Sequence, residues 1–265
     1  MTLPEGRRVV VSELGETPLD AIEHHTSLEP MAPPDTASLG PRDVIVAVRS
    51  AAVGWVDLLM TSGQYQHAVA PPYTPGMEYA GVVAWAGPEV DRVALGDRVI
   101  VDPFHAGPRS LGAYQRWGGF ASYAVAPREA MIPVPGALSL DQACNLLGNY
   151  ETAYHCLIAR GRLSADETVL VHGATGATGL AAVEVAKIVG ATVIATGRSE
   201  AKLAVARAQG ADHVISTRGE DGAARPFHDE VKALTRGAAP TWSTTRSAAR
   251  CPSRACAAWP SARAS

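Results

Sequence analysis

A short apolar run at residues 169–171 leads into a glycine-rich turn, and an Ala-rich segment follows. This order predicts a strand, a tight turn and a helix. The free N–H groups at the start of a helix favour an anion in the turn. Gly173 and Gly176 would let the backbone approach a pyrophosphate, and Gly179 would let the helix pack closely on its strand. With a second strand predicted at residues 191–196, the pattern indicates a dinucleotide site; the alternative is a βα turn without a ligand.

The end of the second predicted strand indicates which dinucleotide binds. An NAD site usually places Asp or Glu about 20 residues after the turn, to hold the ribose 2′-hydroxyl. Here the chain carries Arg198 and, one helical turn later, Lys202. A guanidinium can grip a 2′-phosphate with two hydrogen bonds, whereas a carboxylate would repel it. Glu200 is the nearest acid and suits the first turn of a helix. The sequence therefore predicts NADPH, and the alternative is a solvated helix start with an incidental arginine.

The composition is that of a globular protein with two modest domains. The chain has 265 residues, 47% of them hydrophobic and 18% charged, with a formal net charge of −3. These values give no reason to expect a nucleic-acid partner or an anionic membrane surface. No apolar run approaches the length of a membrane span, and the first residues are not followed by the apolar segment of a secretory signal. The four cysteines, at positions 144, 156, 251 and 256, form no disulfide framework, so we expect a cytoplasmic protein.

Two architectures follow one another along the chain. The first 125 residues contain short β-rich runs separated by Gly and Pro, at Val44–Val48, Gly81–Ala86 and Arg98–Val101. A helix is predicted to begin near Ser139, which could cap it. Strand and helix then alternate at βαβ spacing, which predicts an α/β fold with a parallel sheet. The strands are predicted near 168–172, 191–196 and 212–216, and the helices near 178–189, 199–209 and 228–235.

The order and spacing of several motifs resemble the medium-chain dehydrogenase/reductase superfamily, and most closely its zinc-independent quinone oxidoreductase branch. The resemblance extends over roughly residues 5 to 236. It implies a GroES-like N-terminal domain (residues 1–127) and an incomplete Rossmann domain, a doubly wound parallel sheet that binds NADP (residues 128–236). The matching segments are residues 54–59, 62–65, 75–83, 96–99, 118–123, 150–154 and the glycine turn.

The resemblance also implies roles for individual residues. Thr152 would touch the nicotinamide side of the cofactor. Backbone N–H groups of Gly176, Ala177 and Thr178 would hold the pyrophosphate. The 2′-phosphate end of the cofactor would be held by Arg198, Ser199 and Lys202.

Asp57 and Tyr65 match residues near the family's substrate pocket, and a tyrosine hydroxyl could orient or protonate an acceptor. Their alternatives are a helix-capping or salt-bridged Asp57 and a Tyr65 that only packs. The superfamily's zinc enzymes carry Cys and His where this chain has Gly54 and Met77, which cannot replace those ligands. His67 and His105 are isolated, so no metal site is predicted.

Without a metal to polarise a carbonyl, the expected acceptor is already electrophilic: a quinone or an α,β-unsaturated carbonyl. One alternative is an enoyl-thioester reductase of the same superfamily. Another is an inactive remnant that binds nucleotide without turnover. Intact relatives are usually homo-oligomers, but the surfaces involved are expected largely after residue 236.

Residues 237–265 have a different composition, rich in Ala, Ser and Arg, without Val, Ile or Leu. Such a segment is expected to be disordered and unable to supply the next apolar strand, which would leave the strand at 169–171 as an exposed, aggregation-prone edge. If residues 239–250 have GC-rich codons, a shifted frame reads Ala-Asp-Val-Val-Tyr-Asp-Pro-Val-Gly-Gly, the family's usual strand. A frameshift is therefore the hypothesis, a genuine low-complexity tail is the alternative, and the coding DNA distinguishes them.

Overall fold

The structure is a computed structural model that describes residues 3–67, 69–235 and 242–244. The chain divides into two compact units, Met1–Leu147 and Gly148–Ser265. Within the described ranges, no helix combines the length and apolar character needed to cross a bilayer.

The first unit is built on antiparallel sheet. Its elements are β1 (Gly6–Val11), α1 (Pro18–His24), β2 (Thr26–Met31), β3 (Asp43–Ala52), α2 (Trp55–Thr61), β4 (Glu78–Ala86), β5 (Arg98–Val101), β6 (Tyr123–Pro127), β7 (Met131–Pro133) and α3 (Leu140–Ala143). A five-stranded sheet has the order β6-β3-β4-β5-β7, and β1 and β2 form a separate two-stranded sheet.

The predicted β-rich runs are confirmed as parts of β3, β4 and β5. The core of this unit comes from β-branched residues of these strands, such as Val44, Val83 and Val99, whose side chains are buried together. The predicted helix start is confirmed as well. Ser139 accepts a hydrogen bond from the Gln142 N–H, and the Gln142 side chain accepts one from the Ser139 N–H.

The second unit carries a parallel sheet flanked by helices. Its elements are α4 (Thr152–Tyr154) within a helical stretch over residues 147–160, β8 (Thr168–Val171), α5 (Ala177–Val189), β9 (Thr192–Gly197), α6 (Glu200–Ala208), β10 (His213–Ser216), α7 (His228–Leu234) and β11 (Trp242–Thr244). The strand order is β10-β9-β8-β11. The predicted strands and helices of this region are confirmed within a few residues.

The division between the units falls at Leu147, after the predicted boundary at residue 127. β7 belongs to the first unit because it pairs with β5. Ala143 and Cys144, at the end of α3, are buried against Ala80 and Ile100 of the first unit's sheet. The boundary predicted from the sequence therefore precedes the division between the units, because β7 and α3 still pack in the core of the first unit.

The expectation that the segment after residue 236 supplies no strand is wrong for residues 242–244. β11 runs parallel to β8, with Trp242 opposite Val169 and Thr244 opposite Val171. β8 is therefore paired on both sides, by β9 and β11, and is not the open edge that the composition predicted. Parallel pairing uses backbone N–H and C=O groups, which a Trp-Ser-Thr sequence provides as well as an aliphatic one. The rest of the predicted tail lies outside the described residues.

Candidate cofactor site

Backbone hydrogen bonds hold the glycine turn between β8 and α5 in place. Gly173 has φ +61°, a left-handed backbone conformation that favours glycine. The Ala174 N–H donates to the Thr196 carbonyl at 2.9 Å, which fastens the turn to the end of β9. The Gly176 N–H donates to the Gly173 carbonyl at 3.0 Å and closes the turn.

The three glycines of the turn differ in what surrounds them. A Cβ added at Gly179 would lie 2.4 Å from the Gly173 carbonyl oxygen and 2.7 Å from the Ala174 Cα, so only glycine fits there. Among the described residues, a Cβ at Gly173 would meet nothing within 4 Å, and one at Gly176 only the Gly173 oxygen, at 3.6 Å. The protein therefore packs against Gly179 and leaves space above Gly173 and Gly176. This is the arrangement that a pyrophosphate over the turn requires.

The start of α5 offers unpaired donors to that space. Gly176 is the N-cap and brings no capping side chain, and the first turn of this thirteen-residue helix contains no acid. The helical ladder begins with the Leu180 N–H, which donates to the Gly176 carbonyl at 2.8 Å. Among the described residues, the N–H groups of Ala177, Thr178 and Gly179 have no acceptor, so they remain available to an anion.

The end of β9 presents positive charge next to the turn. Arg198 and Lys202 are exposed, and no carboxylate of the described residues lies within 4.0 Å of either. The Ser199 hydroxyl oxygen caps α6 by accepting from the Lys202 N–H at 3.4 Å. Gly197 is needed because a Cβ there would lie 2.7 Å from the Thr175 Cγ2 of the turn. The two cations are therefore free to bind a ligand, while Ser199 holds the helix start.

The helical stretch over residues 147–160 is fastened to α5 by two side chains that the sequence analysis missed. The Thr178 hydroxyl donates to the Asn149 Oδ1 at 3.0 Å, and the Tyr150 hydroxyl donates to a Glu184 carboxylate oxygen at 2.5 Å. Burial and the bond to Glu184 raise the pKa of Tyr150 to about 12. An aromatic residue and an amide in a helix carry no local signal for these contacts.

Thr152 lies on α4, in this fastened stretch. Its side chain is exposed, and its hydroxyl donates to the Gly148 carbonyl at 2.6 Å. Among the described residues, no hydrogen bond joins Thr152 to the glycine turn.

His172 stands at the end of β8, directly before Gly173. Its ring lies 5.7 Å from the Phe227 ring, centroid to centroid. Burial lowers the pKa of His172, which keeps the ring uncharged at neutral pH beside the turn.

Asp57, in the first unit, is buried and joins two segments. One carboxylate oxygen accepts from the Gly54 N–H at 2.9 Å, and the other accepts from Gly76 at 3.2 Å and Met77 at 2.9 Å. Burial raises the pKa of Asp57, against the effect of these three hydrogen bonds. The geometry is that of the helix-capping alternative, extended by a link to the loop before β4.

Tyr65 is half-buried after α2, with its ring 5.7 Å from the ring of His67. No hydrogen bond joins Tyr65 to Asp57 among the described residues. For metals, the part of the chain that the structure describes contains no group of three or more His, Cys, Asp or Glu side chains that could hold an ion.

Comparison with known proteins identifies the family of this chain. A model of the alcohol dehydrogenase GroES-like domain matches residues 40–136, and a model of zinc-binding dehydrogenases matches residues 177–248. A solved structure of a probable oxidoreductase from Mycobacterium abscessus is 32% identical, with a TM-score of 0.73 over 89% of this chain and 68% of that one. The chain belongs to the medium-chain dehydrogenase/reductase superfamily. The predicted fold, a GroES-like domain with an α/β nucleotide-binding unit, is thereby confirmed.

Further comparisons show which kinds of protein within the superfamily this chain is similar to. A quinone oxidoreductase-like protein 2 homolog of Nematostella vectensis is 36% identical over 88% of this chain. An erythronolide synthase of Saccharopolyspora erythraea is 36% identical over 87% of this chain and 6% of its own length. A mycobacterial protein solved with NADPH is 25% identical, with a TM-score of 0.68 over 89% of this chain and 64% of that one. The chain spans about half the length of the quinone oxidoreductase-like relatives it matches, 58% and 48% for the first two.

Proposed function

We propose that the chain is an NADPH-dependent oxidoreductase that transfers hydride to a quinone or an α,β-unsaturated carbonyl. The observation that carries the proposal is the open turn above Gly173 and Gly176, together with Arg198 and Lys202 after β9, which pair with no carboxylate of the described residues. A relative solved with NADPH supports the same cofactor.

Each end of the cofactor would be held by a different part of the second unit. The N–H groups of Ala177 and Thr178, together with the α5 dipole, would stabilise the pyrophosphate. The Arg198 guanidinium, with Lys202 one helical turn later, would bind the 2′-phosphate. Ser199 would keep the N-terminus of α6 in place and so orient both cations. Thr152 would contribute near the nicotinamide, on a helix that Tyr150 and Asn149 fix to α5.

Bound NADPH supplies a hydride to an acceptor. This chain's residues would orient cofactor and acceptor and keep water away. Asp57 is assigned a positioning role, because both carboxylate oxygens already accept backbone hydrogen bonds. Tyr65, whose hydroxyl makes no hydrogen bond with another described residue, is the candidate to orient or protonate an acceptor.

Two alternatives remain open. The erythronolide synthase relative supports an enoyl thioester as acceptor in place of a quinone. A chain that binds nucleotide without turnover is the second alternative.

The test pairs binding with turnover on the same purified chain. NADPH affinity is measured by calorimetry, and NADPH oxidation is followed at 340 nm with 1,4-benzoquinone, an enone and crotonyl-coenzyme A. Binding with oxidation in the presence of a quinone or enone is the expected result. Binding with no oxidation by any acceptor favours the non-catalytic alternative, oxidation by the thioester alone favours the thioester alternative, and the absence of NADPH binding refutes the proposal.

A further inference from the structure

Asn149 lies beside the first turn of α5. Its Oδ1 accepts a hydrogen bond from the Thr178 hydroxyl at 3.0 Å, and both residues are half-buried. Thr178 is the second residue of α5, and its backbone N–H is one of the three at the helix start that have no acceptor among the described residues. The amide of Asn149 therefore stands next to a donor that the proposed function assigns to the pyrophosphate.

The bond to Thr178 uses the acceptor of the Asn149 side chain and leaves its donors unused. An asparagine side chain carries one carbonyl oxygen and two N–H donors. In the part of the chain that the structure describes, neither of these N–H groups has an acceptor. The bond also orients the amide, because the oxygen must face the hydroxyl. Two oriented donors next to unpaired backbone N–H groups favour an anion at this place.

A second link to α5 holds the segment that carries Asn149. Tyr150, the next residue, donates to a Glu184 carboxylate oxygen at 2.5 Å, further along the same helix. Residues 147–151 form a π-helical turn, a rare conformation that occurs frequently at functional sites. Because Asn149 and Tyr150 both bond to α5, Asn149 is held in register with the helix start.

We infer that Asn149 is a cofactor-binding residue whose amide donates a hydrogen bond to the pyrophosphate, at the phosphate on the nicotinamide side. The inference rests on the proposed function for the place of the pyrophosphate. Thr152, which is assigned to the nicotinamide side, follows Asn149 in the same helical stretch. The Thr178 N–H and the Asn149 amide hold one phosphate from two elements, α5 and the π-helical turn.

This role differs from that of Arg198. The pyrophosphate is common to NADPH and NADH, so Asn149 contributes affinity for both cofactors and no preference between them. Arg198 faces the 2′-phosphate, which only NADPH carries, and contributes the preference. Substitution of Asn149 is therefore expected to weaken both cofactors in parallel.

The test compares three ligands by calorimetry on the full chain: NADPH, NADH and adenosine 2′,5′-bisphosphate, which lacks the phosphate on the nicotinamide side. Asn149→Asp keeps an oxygen for the Thr178 hydroxyl and replaces the amide donors with a negative charge. Asn145→Asp is the matched control, because it makes the same change at an exposed asparagine whose amide donates to the Asp141 carbonyl at 2.9 Å. Circular dichroism melting verifies that each variant folds.

We expect Asn149→Asp to weaken NADPH and NADH each by at least about tenfold, and adenosine 2′,5′-bisphosphate by less than about threefold. Asn149→Ala removes the donors without adding a charge and should weaken both dinucleotides by about threefold to tenfold. Asn145→Asp should change each affinity by less than about twofold, since its amide is exposed to solvent.

Unchanged affinity of Asn149→Asp for both dinucleotides would overturn the inference. An equal loss for all three ligands would also overturn it, because the substitution would then only disturb α5. Unchanged affinity of Asn149→Ala would assign the loss in Asn149→Asp to charge repulsion and would be equally fatal. The proposed function fails separately: if the wild type binds NADPH and NADH equally, the cofactor preference is refuted, while a parallel loss of both in the two Asn149 variants still supports the inference. A wild type that binds neither dinucleotide refutes both.

Discussion

Substitution of single glycines separates the folding role of the turn from its binding role. In Gly179→Ala the added methyl group meets the Gly173 oxygen at 2.4 Å and the Ala174 Cα at 2.7 Å, and both are backbone atoms that cannot rotate away. Overpacking of this kind costs about 1–3 kcal/mol, and the short distances favour the upper end. The higher helix propensity of Ala returns up to about 1 kcal/mol, which leaves a net loss of about 2 kcal/mol.

Gly176→Ala has the opposite pattern. Its methyl group comes no closer than 3.6 Å to any described residue, and φ of −90° suits alanine, so the free energy of unfolding should change by less than about 1 kcal/mol. The methyl group projects into the space assigned to the pyrophosphate. A clash there of about 1–3 kcal/mol weakens NADPH binding about 5- to 150-fold.

Urea unfolding and NADPH calorimetry on both variants measure the two effects. Gly136→Ala is the control, because its Cβ would meet nothing within 4 Å in the part of the chain that the structure describes, and because it lies far along the chain from the turn. The reasoning is refuted if Gly179→Ala is as stable as the wild type. It is equally refuted if Gly176→Ala binds NADPH with unchanged affinity.

Three further predictions test individual contacts. Asp57→Ala leaves two buried N–H groups and one half-buried N–H group without their acceptor and should lower the free energy of unfolding by about 3 kcal/mol. The exposed cap variant Asp35→Ala should cost less than about 1 kcal/mol, and equal losses would contradict the linking role of Asp57. Burial opposes ionisation of Asp212, but the hydrogen bonds from the Val193 N–H and Lys187 lower its pKa below the ordinary 3.8. The wild type should therefore be more stable than Asp212→Asn at pH 7, and this advantage should decline as the pH falls below 4. Melting temperatures of both proteins across pH 2–7 measure the difference, and a difference that does not change with pH would contradict the prediction. Ser243→Pro removes a backbone N–H from β11 and should lower the melting temperature and increase aggregation, while no change would mean that β11 contributes nothing to the sheet.

The parts of the fold that sequence patterns encode locally were predictable. The turn at Gly173, the helix cap at Ser139 and the alternation of β8, α5 and β9 follow from residue spacing over a few turns or strands. The family follows from motif order, because many short matches in one sequence order restrict the topology.

Long-range contacts were not predictable. The bond from Tyr150 to Glu184 joins positions far apart in the chain, and side-chain types alone do not specify it. The pairing of β11 with β8 depends on backbone groups, so composition was a poor guide there. The alternatives for Asp57 needed its burial and hydrogen bonds to be known, since a carboxylate at the start of a helix can cap, pair or react.

The central claim is that the second unit binds a dinucleotide through α5 and selects its 2′-phosphate through Arg198. The most direct measurement is the ratio of NADPH to NADH affinity for the wild type and for Arg198→Gln. The control is Arg207→Gln, which removes a positive charge from the last turn of α6. We expect a preference for NADPH of at least about tenfold, which Arg198→Gln removes and Arg207→Gln retains. Equal affinities of the wild type for the two cofactors, or a preference unchanged in Arg198→Gln, would contradict the account.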